Sequence, residues 1–124
     1  MRIFKTKALA RFSKTERNTD ASLVEAVGRA GRGLIDADLG GGLIKQRVAR
    51  GRQGRSGGYR MVLGIRGKDR AVFVFGFAKS DMDSIGEKQL ASLKEIAAIW
   101  LAADEDKLNT AKAQEILFEV NYGG

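Results

Sequence analysis

Alternating apolar and polar positions mark the extended segments of this chain, and apolar residues three or four apart mark its helices. Arg2–Thr6 reads as a short opening strand, and Leu9 and Phe12 predict a brief helix from Ala8 to about Lys14. A stronger helix is predicted from about Asp20 to Ala30, where Leu23, Val24, Val27 and Ala30 form one apolar stripe. Thr19 or Asp20 can cap its start, and Gly31 and Gly33 can stop it. Gly40-Gly41-Gly42 marks a loop. Gly42–Ala49 then alternates, with Ile44, Gln46 and Val48 on one face and Lys45, Arg47 and Ala49 on the other. In Tyr59–Arg66, Tyr59, Met61, Leu63 and Ile65 oppose Arg60, Val62, Gly64 and Arg66. A tight turn at Gly67-Lys68-Asp69-Arg70 leads into Ala71–Lys79, which is apolar on both faces and so belongs inside a sheet.

Ser84 and Glu87 form a capping-box pattern before a helix carrying Leu90, Leu93, Ala97, Trp100 and Leu101. Asp104-Glu105-Asp106 can begin another helix through about Gln114, with Ile116–Val120 as a last strand. No repeat or linker divides the chain. The reading is one α+β domain over residues 1–124, with a mostly antiparallel sheet carrying helices on one side.

Charge sharpens this picture. The chain of 124 residues has a net charge of +7, but unevenly distributed. Residues 42–79 hold ten Lys/Arg and one acidic residue, Asp69, for a net +9. Residues 80–124 are net −5 and residues 1–41 net +3. The chain therefore has a basic three-stranded core at 42–79 and an acidic C-terminal extension at 104–124. A concentrated basic block is the electrostatic footprint of a phosphate-binding protein. With neither Cys nor His in the sequence, disulfides and Cys-based zinc sites are excluded, and no metal or other cofactor is expected. No apolar run of membrane-spanning length and no hydrophobic signal core is visible, so the expected location is the cytoplasm.

Strand periodicity gathers the candidate chemistry. Lys45 and Arg47 point to one side of an extended strand. If Tyr59, Met61, Leu63 and Ile65 pack under helices, Arg60 and Arg66 look the other way. Lys45, Arg47 and Arg60 then share one open face suited to an anionic ligand. Gly64 and Gly76, lacking side chains, could leave that face open to an approaching backbone. The loop from Arg50 to Gly58 adds Arg52 and Arg55 to Arg50, among glycines that can follow a phosphate backbone. It lacks the nucleotide-binding G-x-x-x-x-G-K-[ST] pattern. Tyr59 could stack on a base, but its alternation with Met61 and Leu63 favours the core. Trp100 and the phenylalanines at 73, 75 and 77 read as core.

Leu43-Ile-Lys-Gln-Arg-Val-Ala49, Ser56-Gly-Gly-Tyr-Arg60 and Phe75-Gly-Phe-Ala-Lys79 together resemble the RelE/HigB toxins of type II toxin–antitoxin systems. The similarity is greatest to the HigB-like branch and covers about residues 1–100. It implies a RelE-like fold, with two N-terminal helices and a C-terminal helix on a twisted, mostly antiparallel sheet. It also implies endonucleolytic cleavage of mRNA on the ribosome, and a cognate antitoxin, typically a helix-turn-helix protein of the HigA kind. By position, Lys45 and Arg47 match basic residues that touch the scissile phosphate. Arg60 matches an Arg that stabilises the transition state, and Lys79 matches the basic residue ending the third strand. Many relatives continue with a further Arg and a Tyr, where this chain has Ser80-Asp81-Met82-Asp83-Ser84.

Cleavage by the RNA 2′-hydroxyl needs a base, which Arg cannot supply because it stays protonated. Lys45, Lys79, Tyr59 or a carboxylate remain as candidates. Lys45 is the preferred one, since neighbouring cations favour a neutral amine. Arg47 and Arg60 then clamp the phosphate, Lys79 supports them, and Arg50, Arg52, Arg55, Tyr59 and Arg66 are candidate RNA contacts. Two other functions share these features. One is a ParE-like sibling on the same scaffold that inhibits DNA gyrase, and the other is an RNA-binding domain without catalysis.

Overall fold

The computed structural model describes residues 1–49, 58–78 and 85–121. The elements run β1 (Arg2–Thr6), α1 (Lys7–Thr15), α2 (Asp20–Gly31), β2 (Ala37–Gly40), β3 (Leu43–Val48), β4 (Tyr59–Arg66), β5 (Arg70–Ala78), α3 (Glu87–Ala102), α4 (Glu105–Ala113) and β6 (Leu117–Glu119). This is an α+β fold in which four helices pack on a six-stranded mixed sheet of order β2-β3-β4-β5-β1-β6. All pairings are antiparallel except β1 with β5. The doubly apolar β5 is internal, as its pattern predicts.

Local sequence accounts for the helix starts. Thr6, Thr19 and Asp104 each accept a backbone N–H from the first turn of α1, α2 and α4, which satisfies a donor left without an intrahelical partner. The capping box expected from Ser84 and Glu87 is different. Ser84 lies outside the described residues, Gly86 is the N-cap of α3, and Glu87 is its first residue. The loop expected at Gly40-Gly41-Gly42 is the turn of a hairpin whose first strand, β2, the periodicity missed. Four residues with only Leu39 strongly apolar carry no strand signal.

Helices cover both faces of the sheet, which corrects the one-sided arrangement. Against α1 and α2 lie Ile44, Val48, Tyr59, Met61, Leu63 and Phe73. The opposite face holds Leu43, Val62, Val72, Val74 and Phe77 with Leu93 and Ala97 of α3 and Leu108 of α4. A bulge causes the switch within β5. Val62 opposes Phe75 and Leu63 opposes Phe73, leaving Val74 as the extra residue. Phe75 and Phe77 therefore join the α3 face while Phe73 faces α1 and α2. The two strand glycines serve this packing and do not open the face. A Cβ on Gly64 would stand 3.0 Å from both Ala97 and Leu101, and one on Gly76 would stand 2.7 Å from Phe12.

The acidic C-terminal extension is integrated into the sheet. β6 pairs with β1, and Arg2 bridges Glu105 at 2.6 Å and Glu119 at 2.9 Å. Lys112 adds a second contact to Glu119 at 2.8 Å. These two cations hold the Glu119 carboxyl down at about 2.

Candidate nucleic-acid interface

The register of β3 on β4 sets the site. Arg47 lies directly opposite Arg60, and Lys45 opposite Val62, so Lys45, Arg47 and Arg60 project from the same face. Arg60 is in turn the partner of Phe77 on β5. The three cations differ in exposure. Arg47 is exposed, Lys45 is half-buried, and Arg60 is buried at 8% exposure. Like charges opposite one another in a sheet are destabilising. Burial, followed by the neighbouring Arg47, pulls the Arg60 guanidinium below its ordinary value, and Asp36 opposes the shift. The group remains charged at neutral pH. Among the described residues, the side chains of Lys45 and Arg47 make no hydrogen bond or ion pair.

The backbone of Arg47 is held along the edge of β3 that faces away from β4. Its N–H donates to Asp36 Oδ2 at 2.6 Å, and its carbonyl accepts from Arg29 Nη2. The pairing of β2 with β3 reaches only Ala37 opposite Lys45. Beyond that point, two side chains take the place of a neighbouring strand. Arg29 is itself buried and held by Glu25 at 2.7 Å and Asp36 at 3.4 Å. Gln46, fully buried on the α2 side, donates to the carbonyls of Ala26 and Leu34 and accepts from the Asp36 N–H. Sequence reading missed this set. One signal was present: Gln46 is the lone polar residue on the otherwise apolar face of β3.

Other expected residues are placed elsewhere. Tyr59 projects to the opposite face, where its ring meets Phe12 edge-on at 5.6 Å and its hydroxyl donates to Glu16 at 3.0 Å. Its core alternative is the one realised, and it does not share the face of Arg60. Arg66 lies six residues from Arg60, about 20 Å along the strand, and donates to the Leu101 carbonyl. Arg70, opposite Arg66, donates to the carbonyls of Trp100 at 2.8 Å, Leu101 at 3.2 Å and Ala103 at 2.7 Å. The last turn of α3 contains no basic residue of its own, so these two arginines supply the positive charge that a helix C-terminus favours. Lys79, Arg50, Arg52 and Arg55 lie outside the described residues.

Among the described residues, no group of His, Cys, Asp or Glu could hold a metal ion, and no helix is long and apolar enough to cross a membrane. Lys45, Arg47 and Arg60 are gathered at one end of a helix-covered mixed sheet in a small α+β domain. Comparison with known families makes the class specific. Residues 1–120 match the model of the RelE toxin of the RelE/RelB toxin–antitoxin system, and the chain belongs to that family. It is thus a toxin whose family pairs it with an antitoxin. No curated protein matches it.

Proposed function

We propose that this toxin is a ribosome-dependent mRNA endoribonuclease of the HigB-like branch, a single domain that works without a metal or other cofactor in the cytoplasm. Its antitoxin is a helix-turn-helix protein of the HigA kind. The observation that carries the activity is the cross-strand pair Arg47–Arg60 with Lys45 beside it on one face. Two guanidiniums, with an amine that gains its charge as it takes up the proton, suit the charge that develops on a phosphate in its transition state.

In the proposed reaction, the Lys45 amine accepts the proton of the substrate 2′-hydroxyl. The freed oxygen attacks the adjacent phosphorus. Arg47 and Arg60 hold the non-bridging oxygens, and the bond to the 5′-oxygen breaks as that oxygen takes up the proton that Lys45 received. The products are a 2′,3′-cyclic phosphate and a 5′-hydroxyl end. Lys79 is assigned a supporting role, and Arg50, Arg52 and Arg55 contact the RNA backbone. Mapping RNA ends after induced expression tests the reading. New 5′-hydroxyl ends inside translated codons are expected. Intact mRNA accompanied by DNA-damage signalling would overturn it.

A further inference from the structure

We propose that the cleft beside Arg47 is a nucleobase subsite selecting bases with an exocyclic amino group; this rests on the RNA-cleaving reading above. The cleft, of about 400 Å³, is lined by Arg29, Gly33, Leu34, Ile35, Asp36 and Arg47. Leu34 is 58% exposed and Ile35 43%. Their exposure is not that of a loose loop. Gly33 and Leu34 donate backbone N–H groups to the carbonyls of Ala30 at 3.0 Å and Arg29 at 2.9 Å. Gln46 then fixes the Leu34 carbonyl at 3.1 Å and the Asp36 N–H at 2.8 Å. Two large apolar side chains thus stand in water on a pinned backbone, beside a guanidinium with no acceptor among the described residues. An apolar ledge next to a cation matches the two halves of a nucleotide, ring face and phosphate.

Asp36 supplies the selection. Both of its contacts, to the Arg47 N–H and to Arg29, fall on Oδ2. Oδ1 carries no hydrogen bond among the described residues, and the side chain is 27% exposed. A carboxylate oxygen only accepts. Adenine, cytosine and guanine offer it an amino donor, whereas uracil flanks its single N–H with two carbonyls. A hydrogen bond to a charged group, present for one base and absent for another, discriminates by about tenfold or more.

The test titrates the full chain with AMP, CMP and UMP while following the Leu34 and Ile35 methyl signals by NMR. AMP and CMP are expected to shift those methyls, with UMP binding about tenfold more weakly. Asp36→Asn should narrow that gap. Leu34→Ser/Ile35→Ser, both on the surface, should abolish the binding while leaving the melting temperature unchanged. Equal binding of UMP, or unmoved methyls at saturating nucleotide, would overturn the subsite. Methyl shifts with the predicted order but no RNA cleavage would uphold the subsite and defeat the nuclease reading instead. Cleavage without any methyl shift would do the reverse.

Discussion

Two cross-strand arginine pairs occupy the same side of the sheet in contrasting surroundings. At one end, Arg66 faces Arg70, and both guanidiniums lie on the carbonyls that close α3. At the other, Arg47 faces Arg60, with Arg47 exposed and Arg60 pulled down by burial and by Arg47. The first pair is neutralised by a helix end. The second sets exposed Arg47 opposite Arg60 with Lys45 on the same face, the arrangement to which the proposed function assigns the phosphate. Arginines directly opposite one another on neighbouring strands thus serve stability at one end and, in the proposed function, catalysis at the other. A sequence count cannot separate the two, because both pairs fall within the basic block.

This contrast can be broken by substitution. The largest effect is expected at the phosphate end. Arg47→Ala should slow mRNA cleavage by about a hundredfold, the usual result of removing one transition-state donor, while thermal denaturation stays near the parent because the side chain is exposed. At the helix end, Arg70→Ala should do the opposite. The carbonyls of Trp100 and Ala103 lose this donor, while that of Leu101 keeps Arg66, and urea denaturation should show a loss of about 3 kcal/mol.

A smaller effect belongs to the acidic anchor. The Glu119 carboxyl sits at about 2, below the ordinary 4.5, chiefly through its hydrogen bond from Arg2. A depressed carboxyl contributes stability above its unfolded value and loses it as pH falls toward the folded one. Glu119→Gln should therefore cost about 2 kcal/mol at neutral pH, and the gap from the parent should close between about pH 5 and pH 2. A gap independent of pH in urea titrations would contradict the ion pair. The smallest effect is at Arg66, which is exposed and 4.0 Å from Asp69. Arg66→Ala should change stability by about 0.5 kcal/mol or less and leave cleavage within about twofold.

How far the sequence exposed this design depended on the range of each signal. β1 and β4 were legible to the residue, and α2, β3 and β5 to within one, since their patterns are local. The shared face of Lys45, Arg47 and Arg60 followed from a period of two, which needs only a correct register. The bulge at Val74 was not legible, because five consecutive apolar residues read the same with or without an extra one. Nor was the packing of α3 over Gly64. A strand glycine suits an open face and a close helix equally well, and only the partner decides. The partners of Arg66 and Tyr59 were not legible for a related reason. Alternation assigns a side of the sheet, but not the distance along the strand or the partner across the core. The grip of Asp36 and Arg29 on Arg47 joins residues 11 and 18 positions apart. Such a contact exists only once α2 has docked on β3.

The most direct test of the central claim is a double-mutant cycle on single-turnover mRNA cleavage with Lys45→Ala and Arg60→Ala. If both side chains act on one phosphate, each change costs about a hundredfold, and the pair together costs little more than the worse of the two. Rates that multiply as though the sites were independent, or a double variant that still cuts at the parental rate, would contradict it.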